Sequence, residues 1–146
     1  MRQELGSEIR KMFVAGDGCV FVDADYSQIE LRVLAHISHD KAMINAFKNG
    51  EDIHRITASQ VFKIAPEDVS PEYRRRAKAV NFGIVYGISE FSLAEDLGIF
   101  RSEAKEYISS YLEHYSGIRQ YMHDVVEKAK EVGYVTTIMN RRRYLP

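Results

Sequence analysis

Residues 71–86, PEYRRRAKAVNFGIVY, restrict the fold more than any other stretch of this sequence. Ser70 can accept hydrogen bonds from free amides at a helix start, and Pro71 tolerates the first turn, so together they predict that a helix begins here. At about 100° per residue, one narrow face of this helix collects Tyr73, Ala77, Val80 and Ile84. We predict that this apolar face packs in the core.

A second stripe on the same helix holds two cations and then two aromatic residues at four-residue spacing: Arg74, Lys78, Phe82 and Tyr86. The plainer interpretation is a solvated basic face whose aromatic rings are covered by another helix. Gly83, which costs about 1 kcal/mol inside a helix, instead indicates that something approaches closely beside the aromatic rings. A nucleoside triphosphate fits, because cations bind phosphate oxygens and an aromatic ring packs against sugar and base.

Most of the remaining sequence also has helical periodicity. Apolar residues at helical spacing predict helices at 41–48, 53–62, 91–97, 102–114 and 117–132. Near the end, residues 134–139 and 143–145 resemble two short strands, and Asn140 between them tolerates left-handed backbone geometry. These patterns predict a mainly helical molecule with a small terminal hairpin.

The segment before the first long apolar helix carries two carboxylates. Residues 19–25 form a short apolar run after a Gly-Asp-Gly turn signal, which predicts a strand whose far end presents Asp23 and Asp25. Ser27 is then a candidate helix cap, and Glu30 three residues later completes a capping-box pattern. We predict a strand, a tight turn and a buried helix over 29–37.

Composition limits the class of protein. With 146 residues and 45% hydrophobic content, the chain can bury one core, and we expect one unit. The 20 Lys and Arg residues nearly balance 21 Asp and Glu residues, so net charge gives no sign of a polyanionic partner. A single cysteine, Cys19, excludes an internal disulfide framework and fits a reducing compartment. No apolar stretch approaches the roughly 20 residues of a membrane span, so we expect a cytoplasmic protein without a membrane partner.

Two motifs in this order resemble a known enzyme family. The run from Asp25 to Arg32, DYSQIELR, and the four-residue spacing from Arg74 to Gly87 are similar to motifs A and B of family A DNA polymerases, the bacterial DNA polymerase I type. Asp-Ile-His at 52–54, Gly-Tyr-Val at 133–135 and the run RRRYLP at 141–146 extend the resemblance along nearly the whole chain. Asn140 stands where relatives usually have glycine, a change that requires little backbone adjustment.

The resemblance implies both architecture and activity. The fold is expected to be mainly α, from helices of the fingers subdomain, with a few short β-strands from the palm, as a fragment of an α+β right-hand polymerase fold. Residues 28–133 correspond to the fingers, and residues 1–27 and 134–146 to the palm. The implied activity is that of a DNA-directed DNA polymerase, a nucleotidyltransferase that adds deoxynucleotides to a DNA primer 3′ end in replication and repair. Its partners are a primer-template and deoxynucleoside triphosphates (dNTPs).

The resemblance also assigns roles to single residues. Asp25 is implied to hold two Mg²⁺ ions, with help from the backbone carbonyl of Tyr26, and Mg²⁺ suits such oxygen ligands. His54, Arg74 and Lys78 are implied to bind the triphosphate, and Lys78 is also the candidate catalytic proton donor to pyrophosphate. Glu30 is implied to act as the steric gate that excludes a ribose 2′-hydroxyl. Phe82 is implied to contact the 3′ side of the sugar, and Tyr86 to lie near the nascent base pair. Gln28 is implied to contact the dNTP as well.

The second metal-binding segment of the resembled family falls outside this sequence. The chain lacks the His-Asp-Glu segment of motif C, which carries the second metal-binding aspartate, so we expect it to fold but to be inactive alone. We also expect weak nucleotide binding, because Arg74, Lys78 and His54 would face open water. A phosphatase of the haloacid dehalogenase type, suggested by Asp23 and Asp25, and a non-catalytic nucleotide- or DNA-binding helical module are the alternative interpretations.

Overall fold

The computed structural model describes residues 4–145. Within this range the chain forms eight α-helices and one two-stranded antiparallel sheet. The helices are α1 (Glu4–Arg10), α2 (Ile29–Ser38), α3 (Lys41–Lys48), α4 (Ile53–Phe62), α5 (Pro71–Val85), α6 (Glu90–Leu97), α7 (Arg101–His114) and α8 (Ser116–Val132). The strands are β1 (Tyr134–Thr136) and β2 (Arg142–Tyr144). The expected mainly helical fold with a few short strands is confirmed.

Side-chain caps explain where several helices begin. Asp40 accepts the amide of Met43 at the start of α3. Ser70 accepts the amide of Tyr73 at the start of α5, with Pro71 in the first turn as predicted. Predicted and observed bounds agree for α3 and α4 and differ by one residue at one end of α5, α6, α7 and α8.

The core lies where α4 and α5 meet the other long helices. The predicted core face of α5 is confirmed for Ala77, Val80 and Ile84, which are all buried. Tyr73 is an exception because it lies at the edge of the core, where its ring packs 5.2 Å from that of Phe62 and keeps an exposed side. None of the described helices is both long and apolar enough to cross a membrane.

The strand predicted at residues 19–25 is wrong. This segment has no regular secondary structure, and the apolar side chains of Val20, Phe21 and Val22 are exposed. A strand needs a hydrogen-bonded neighbour, and the pairing found within residues 4–145 is that of β1 with β2. Among the described residues, the apolar run therefore pairs with no other strand.

The predicted capping box is also wrong. The N-cap of α2 is Gln28 rather than Ser27, and its φ of 55° lies in the left-handed region. The Ser27 carbonyl instead accepts a hydrogen bond from Arg32 Nε at 2.9 Å. Glu30 lies in the first turn of α2 without a capping partner to its own side chain among the described contacts. The left-handed Gln28 is therefore the residue at which α2 begins, and Glu30 does not complete a capping box.

The terminal hairpin is confirmed: β1 is three residues shorter than predicted, and β2 has the predicted length but begins one residue earlier. Tyr134 pairs with Tyr144 and Thr136 with Arg142 in antiparallel register. Asn140 has a φ of 60°, as predicted for the residue at this turn.

Candidate functional site

A cleft of about 350 Å³ opens between the turn before α2, the first turn of α4 and the outward stripe of α5. Its lining brings together residues far apart in sequence: Asp25, Tyr26, Ser27, Gln28, Ile29, Glu30, His54, Arg74, Lys78 and Phe82. Every candidate site residue from the sequence is in this set except Tyr86. The cleft therefore joins the two motifs at one surface.

Helix α5 supplies one wall through its outward stripe. Arg74, Lys78 and Phe82 follow one another at about one helical turn, and Lys78 Nζ lies 5.6 Å from the centroid of the Phe82 ring. Tyr86 caps the end of α5, where it is 72% exposed and its ring lies nearly parallel to Phe82 at 6.5 Å. The stripe thus continues past the cleft as an exposed aromatic ring.

His54 lies in the first turn of α4 and is only 2% exposed, so the expectation that it faces open water is wrong. Its Nδ1 atom is 3.2 Å from Asn81 Nδ2, and its ring lies 6.2 Å from that of Phe82. Burial, followed by the positive charge of Arg74, lowers the pKa of His54 to about 4. His54 is therefore a neutral imidazole at pH 7.

Asp52 links α4 to α5. Its Oδ1 atom accepts the amides of His54 at 3.1 Å and Arg55 at 3.3 Å, while Oδ2 accepts a hydrogen bond from Arg74 Nε at 2.6 Å. Burial alone would raise the pKa of Asp52, but the hydrogen bond from Arg74 and those two amides outweigh it and lower the pKa. Asp52 therefore stays ionised and holds the Arg74 guanidinium beside the cleft.

Gly83 has a structural explanation that differs from the predicted one. A Cβ atom at Gly83 would lie 2.7 Å from Ile88 Cγ2, so the close approach comes from a side chain of the same molecule and not from a nucleotide. Ile88 donates its amide to the Gly83 carbonyl at 2.8 Å, which folds the chain back against α5. Gly87 has a φ of 73°, a conformation that glycine adopts without strain.

Asn81 is the functional candidate that the sequence interpretation missed. It is fully buried, and it lies one turn from Ala77 on the core face of α5. A polar residue on an apolar helix face needs hydrogen-bond partners, so this mismatch was a usable signal. In the structure its partners include His54.

The described residues do not by themselves complete a magnesium site. Asp25 and the backbone of Tyr26 supply oxygen donors at the cleft, which is the chemistry that Mg²⁺ prefers. Within residues 4–145, however, no group of three or more His, Cys, Asp and Glu side chains gathers closely enough to hold a metal ion. Asp25 could therefore supply only part of a ligand set from the described residues.

Comparison with known proteins gives a consistent result along the entire chain. The sequence model of the family described as DNA polymerase family A matches residues 1–146. DNA polymerase I of Bacillus subtilis is 55% identical over 148 residues, and that of Streptococcus pneumoniae serotype 4 is 56% identical over 147 residues. The aligned region covers 100% and 99% of this chain, respectively, but 17% of each relative. The chain thus spans about a sixth of the length of these relatives.

A solved structure agrees with these matches. The POL domain of Pol1 from M. smegmatis, in complex with DNA primer-template and dNTP, superposes with a TM-score of 0.86 at 45% identity. The match covers all of this chain and 26% of that one. Since the fold and the full sequence agree with the same group of proteins, this chain belongs to DNA polymerase family A.

Proposed function

We propose that this chain is part of a DNA-directed DNA polymerase and that its cleft binds the incoming dNTP. One observation carries the proposal. The folded chain brings Arg74, Lys78 and His54 to the same cleft as Asp25 and Glu30, although the two groups come from separate motifs. A solved relative, the Pol1 domain from M. smegmatis, was captured with primer-template and dNTP, which supports these partners.

The basic wall of the cleft suits a triphosphate. Arg74 and Lys78 offer two positive charges one helical turn apart, and charge-assisted hydrogen bonds to phosphate contribute about 1.5–3 kcal/mol each. Neutral His54 can add a hydrogen bond without further charge. We assign Lys78 a second role, proton donation to the leaving pyrophosphate, because an ammonium group carries a transferable proton and a guanidinium effectively does not.

The rest of the lining suits a deoxynucleoside. We propose that the Phe82 ring packs against the sugar and that Tyr86, exposed beyond the cleft, lies near the nascent base pair. Glu30 enters the cleft from the first turn of α2, and we propose that its side chain excludes a ribose 2′-hydroxyl. Gln28, at the left-handed turn between these groups, contacts the same nucleotide.

Magnesium enters the proposal as the family's divalent cofactor. In two-metal polymerases the ions activate the primer hydroxyl and neutralise the charge that develops on the phosphates. We propose that Asp25 and the Tyr26 carbonyl provide part of the ligand set. The described residues do not complete that set, so a further carboxylate has to come from elsewhere in the polymerase.

We also propose the subdomain boundaries that the sequence predicted. Helices α2 to α8, within 28–133, share one apolar core and form the fingers. Residues 1–27 and 134–146 belong to the palm. Exposed apolar side chains at Val20, Phe21 and Val22 support this division, because they fit a strand that adds to a neighbouring sheet.

A chimera tests the proposed function. The matching segment of Bacillus subtilis DNA polymerase I is replaced by residues 1–146, and magnesium-dependent primer extension is measured with all four dNTPs. We expect extension by the chimera and its loss in Asp25→Asn, while Asp17→Asn, a substitution in an exposed turn outside the cleft, serves as the matched control. A folded chimera that fails to extend primers, or an Asp25→Asn variant as active as the parent, contradicts the proposal.

A further inference from the structure

A continuous polar chain runs through the apolar core to the cleft. The Tyr115 hydroxyl is 3.2 Å from Thr57 Oγ1, and Thr57 Oγ1 is 3.3 Å from Asn81 Oδ1. Asn81 Nδ2 in turn lies 3.2 Å from His54 Nδ1. All four side chains are buried, with at most 2% of each exposed. These hydrogen-bonded side chains connect α4, α5 and the junction between α7 and α8.

The direction of each hydrogen bond follows from chemistry. Asn81 Nδ2 also lies 3.0 Å from the Ala77 carbonyl oxygen, which can only accept, so the atom that faces it is the amide nitrogen. The Asn81 oxygen therefore faces Thr57 and accepts its hydroxyl proton. Thr57 has one proton to give, so Tyr115 donates its own to the Thr57 oxygen.

This arrangement determines which nitrogen of His54 carries a proton. Asn81 donates its second amide proton to Nδ1, so Nδ1 is an acceptor and the neutral ring carries its proton on Nε2. An imidazolium would place an N–H against the Asn81 amide, which agrees with the lowered pKa of His54. No hydrogen bond to Nε2 forms within residues 4–145, and the ring lines the cleft.

We propose that Asn81 is a positioning residue that fixes the tautomer and orientation of His54, so that Nε2–H points to an oxygen of the bound triphosphate. Thr57 and Tyr115 hold Asn81 in turn, because they satisfy its carbonyl oxygen. The inference rests on the proposed role of the cleft in binding dNTP. In other proteins, a hydrogen bond to one ring nitrogen of a histidine similarly holds the other nitrogen in the orientation that binding or catalysis requires.

Packing alone does not explain asparagine at this position. Its neighbours on α5, Ala77, Val80 and Ile84, form an apolar face that leucine would extend. A buried amide costs free energy unless each of its polar atoms has a partner. Here the partners are Thr57 and His54 on α4 and the Ala77 carbonyl on α5. Such a network specifies one arrangement of groups more than it adds stability.

The first test reads the tautomer directly. NMR of the full chain, with nitrogen-15 in its histidine rings, distinguishes protonated from unprotonated ring nitrogens at pH 7. We expect an unprotonated Nδ1 and a protonated Nε2 at His54. Asn81→Asp, which is nearly isosteric but offers only acceptors, should protonate Nδ1, while Asn81→Leu should leave a mixture of tautomers. A protonated Nδ1 in the unsubstituted chain, or spectra unchanged by both substitutions, overturns the inference.

The second test measures nucleotide use in the Bacillus subtilis chimera. Asn81→Leu should raise the KM for dNTP about tenfold, as expected for the loss of one hydrogen bond to a charged group, with primer-template affinity unchanged. His54→Gln should have a similar effect, and the double variant should be no worse than the single variants, because Asn81 acts through His54.

The outcomes separate the two proposals. If His54→Gln leaves the KM unchanged, the proposed role of His54 at the triphosphate fails, and this inference fails with it. If His54→Gln is impaired but the effects of the two substitutions multiply in the double variant, only the positioning role of Asn81 fails. Tyr115→Phe, which removes one hydroxyl group, should give a KM for dNTP between that of the unsubstituted chimera and that of Asn81→Leu.

Discussion

Asp52 and Arg74 join the two helices that form the basic wall of the cleft, through a hydrogen bond of 2.6 Å from Arg74 Nε to Asp52 Oδ2. The other oxygen of the same carboxylate caps α4 at the amide of His54. One side chain therefore holds the backbone of one phosphate-binding candidate and the guanidinium of another. This arrangement couples the geometry of α4 to that of α5.

The two functions of Asp52 can be separated by substitution. Its side chain and that of Arg74 are partly exposed, so their ion pair contributes at most about 1 kcal/mol. Asp52→Asn keeps a good cap and should lose less than that from the free energy of unfolding in urea. Asp52→Ala should lose about 1 kcal/mol more, because the cap is also gone. Equal losses in the two variants contradict the capping role.

The buried His54 predicts a pH dependence of stability. Its pKa falls from 6.5 to about 4 on folding, so the unfolded chain binds the proton more readily. The stabilising contribution is complete above pH 6.5 and declines as the pH falls toward 4. Between pH 7 and 5, this residue should account for a loss of about 2 kcal/mol in the free energy of unfolding.

The matched control for this prediction is His54→Gln, measured by urea unfolding at the same two pH values. His114 also has a pKa lowered by burial, and its contribution is common to both proteins. The difference between the two proteins therefore reports His54 alone. A pH dependence that is the same with and without His54 is inconsistent with a neutral buried imidazole.

At Gly117 we expect the usual preference of helices for alanine over glycine to be reversed. It lies in the first turn of α8, where its amide donates to Asp40 Oδ2 at 2.9 Å, and a Cβ atom would lie 2.8 Å from Asp40 Cα. Gly117→Ala should therefore destabilise the chain by about 1–3 kcal/mol, although helix propensity alone favours alanine by about 1 kcal/mol. Glu131→Ala, on the exposed side of α8, is the control and should change stability by less than about 0.5 kcal/mol. A stability gain in Gly117→Ala would show that Asp40 does not approach α8 this closely.

Glu30 provides a test of sugar selection. In the chimera, Glu30→Ala should raise the ratio of ribonucleotide to deoxynucleotide incorporation, because it opens space beside the sugar. The observed N-cap is Gln28, so Glu30→Ala should cost less stability than the ~1 kcal/mol of a lost cap. An unchanged incorporation ratio together with a full loss of about 1 kcal/mol would favour a purely structural role for Glu30.

Local patterns in the sequence predicted most of the fold. Caps such as Ser70 and the period of apolar residues such as Ala77 and Val80 depend on neighbours within a few turns, so helix positions can be inferred from them. The hairpin was also predicted from a local pattern, namely two short strand-like runs on either side of Asn140. These features are properties of short segments.

Errors arose both where the structure depends on distant partners and at one local turn. The apolar run around Phe21 has strand composition, but a strand forms only beside another strand, and none lies beside it within residues 4–145. Ser27 and Glu30 fit a capping box, yet Gln28 adopts the left-handed geometry that starts α2 one residue later. The burial of His54 and its contact with Asn81 depend on how α4 packs against α5, which periodicity does not specify.

The central claim is that the stripe on α5 binds the triphosphate of an incoming nucleotide. Single-nucleotide incorporation kinetics of Lys78→Ala and Arg74→Ala, each in the Bacillus subtilis chimera, test it most directly, with Lys105→Ala as an exposed lysine control on α7. Losing about 1.5–3 kcal/mol per contact predicts a decrease of about ten- to a hundredfold in kcat/KM for dNTP, with primer-template affinity unchanged. Incorporation kinetics equal to those of the Lys105→Ala control, or an equal loss in primer-template affinity, would contradict the account.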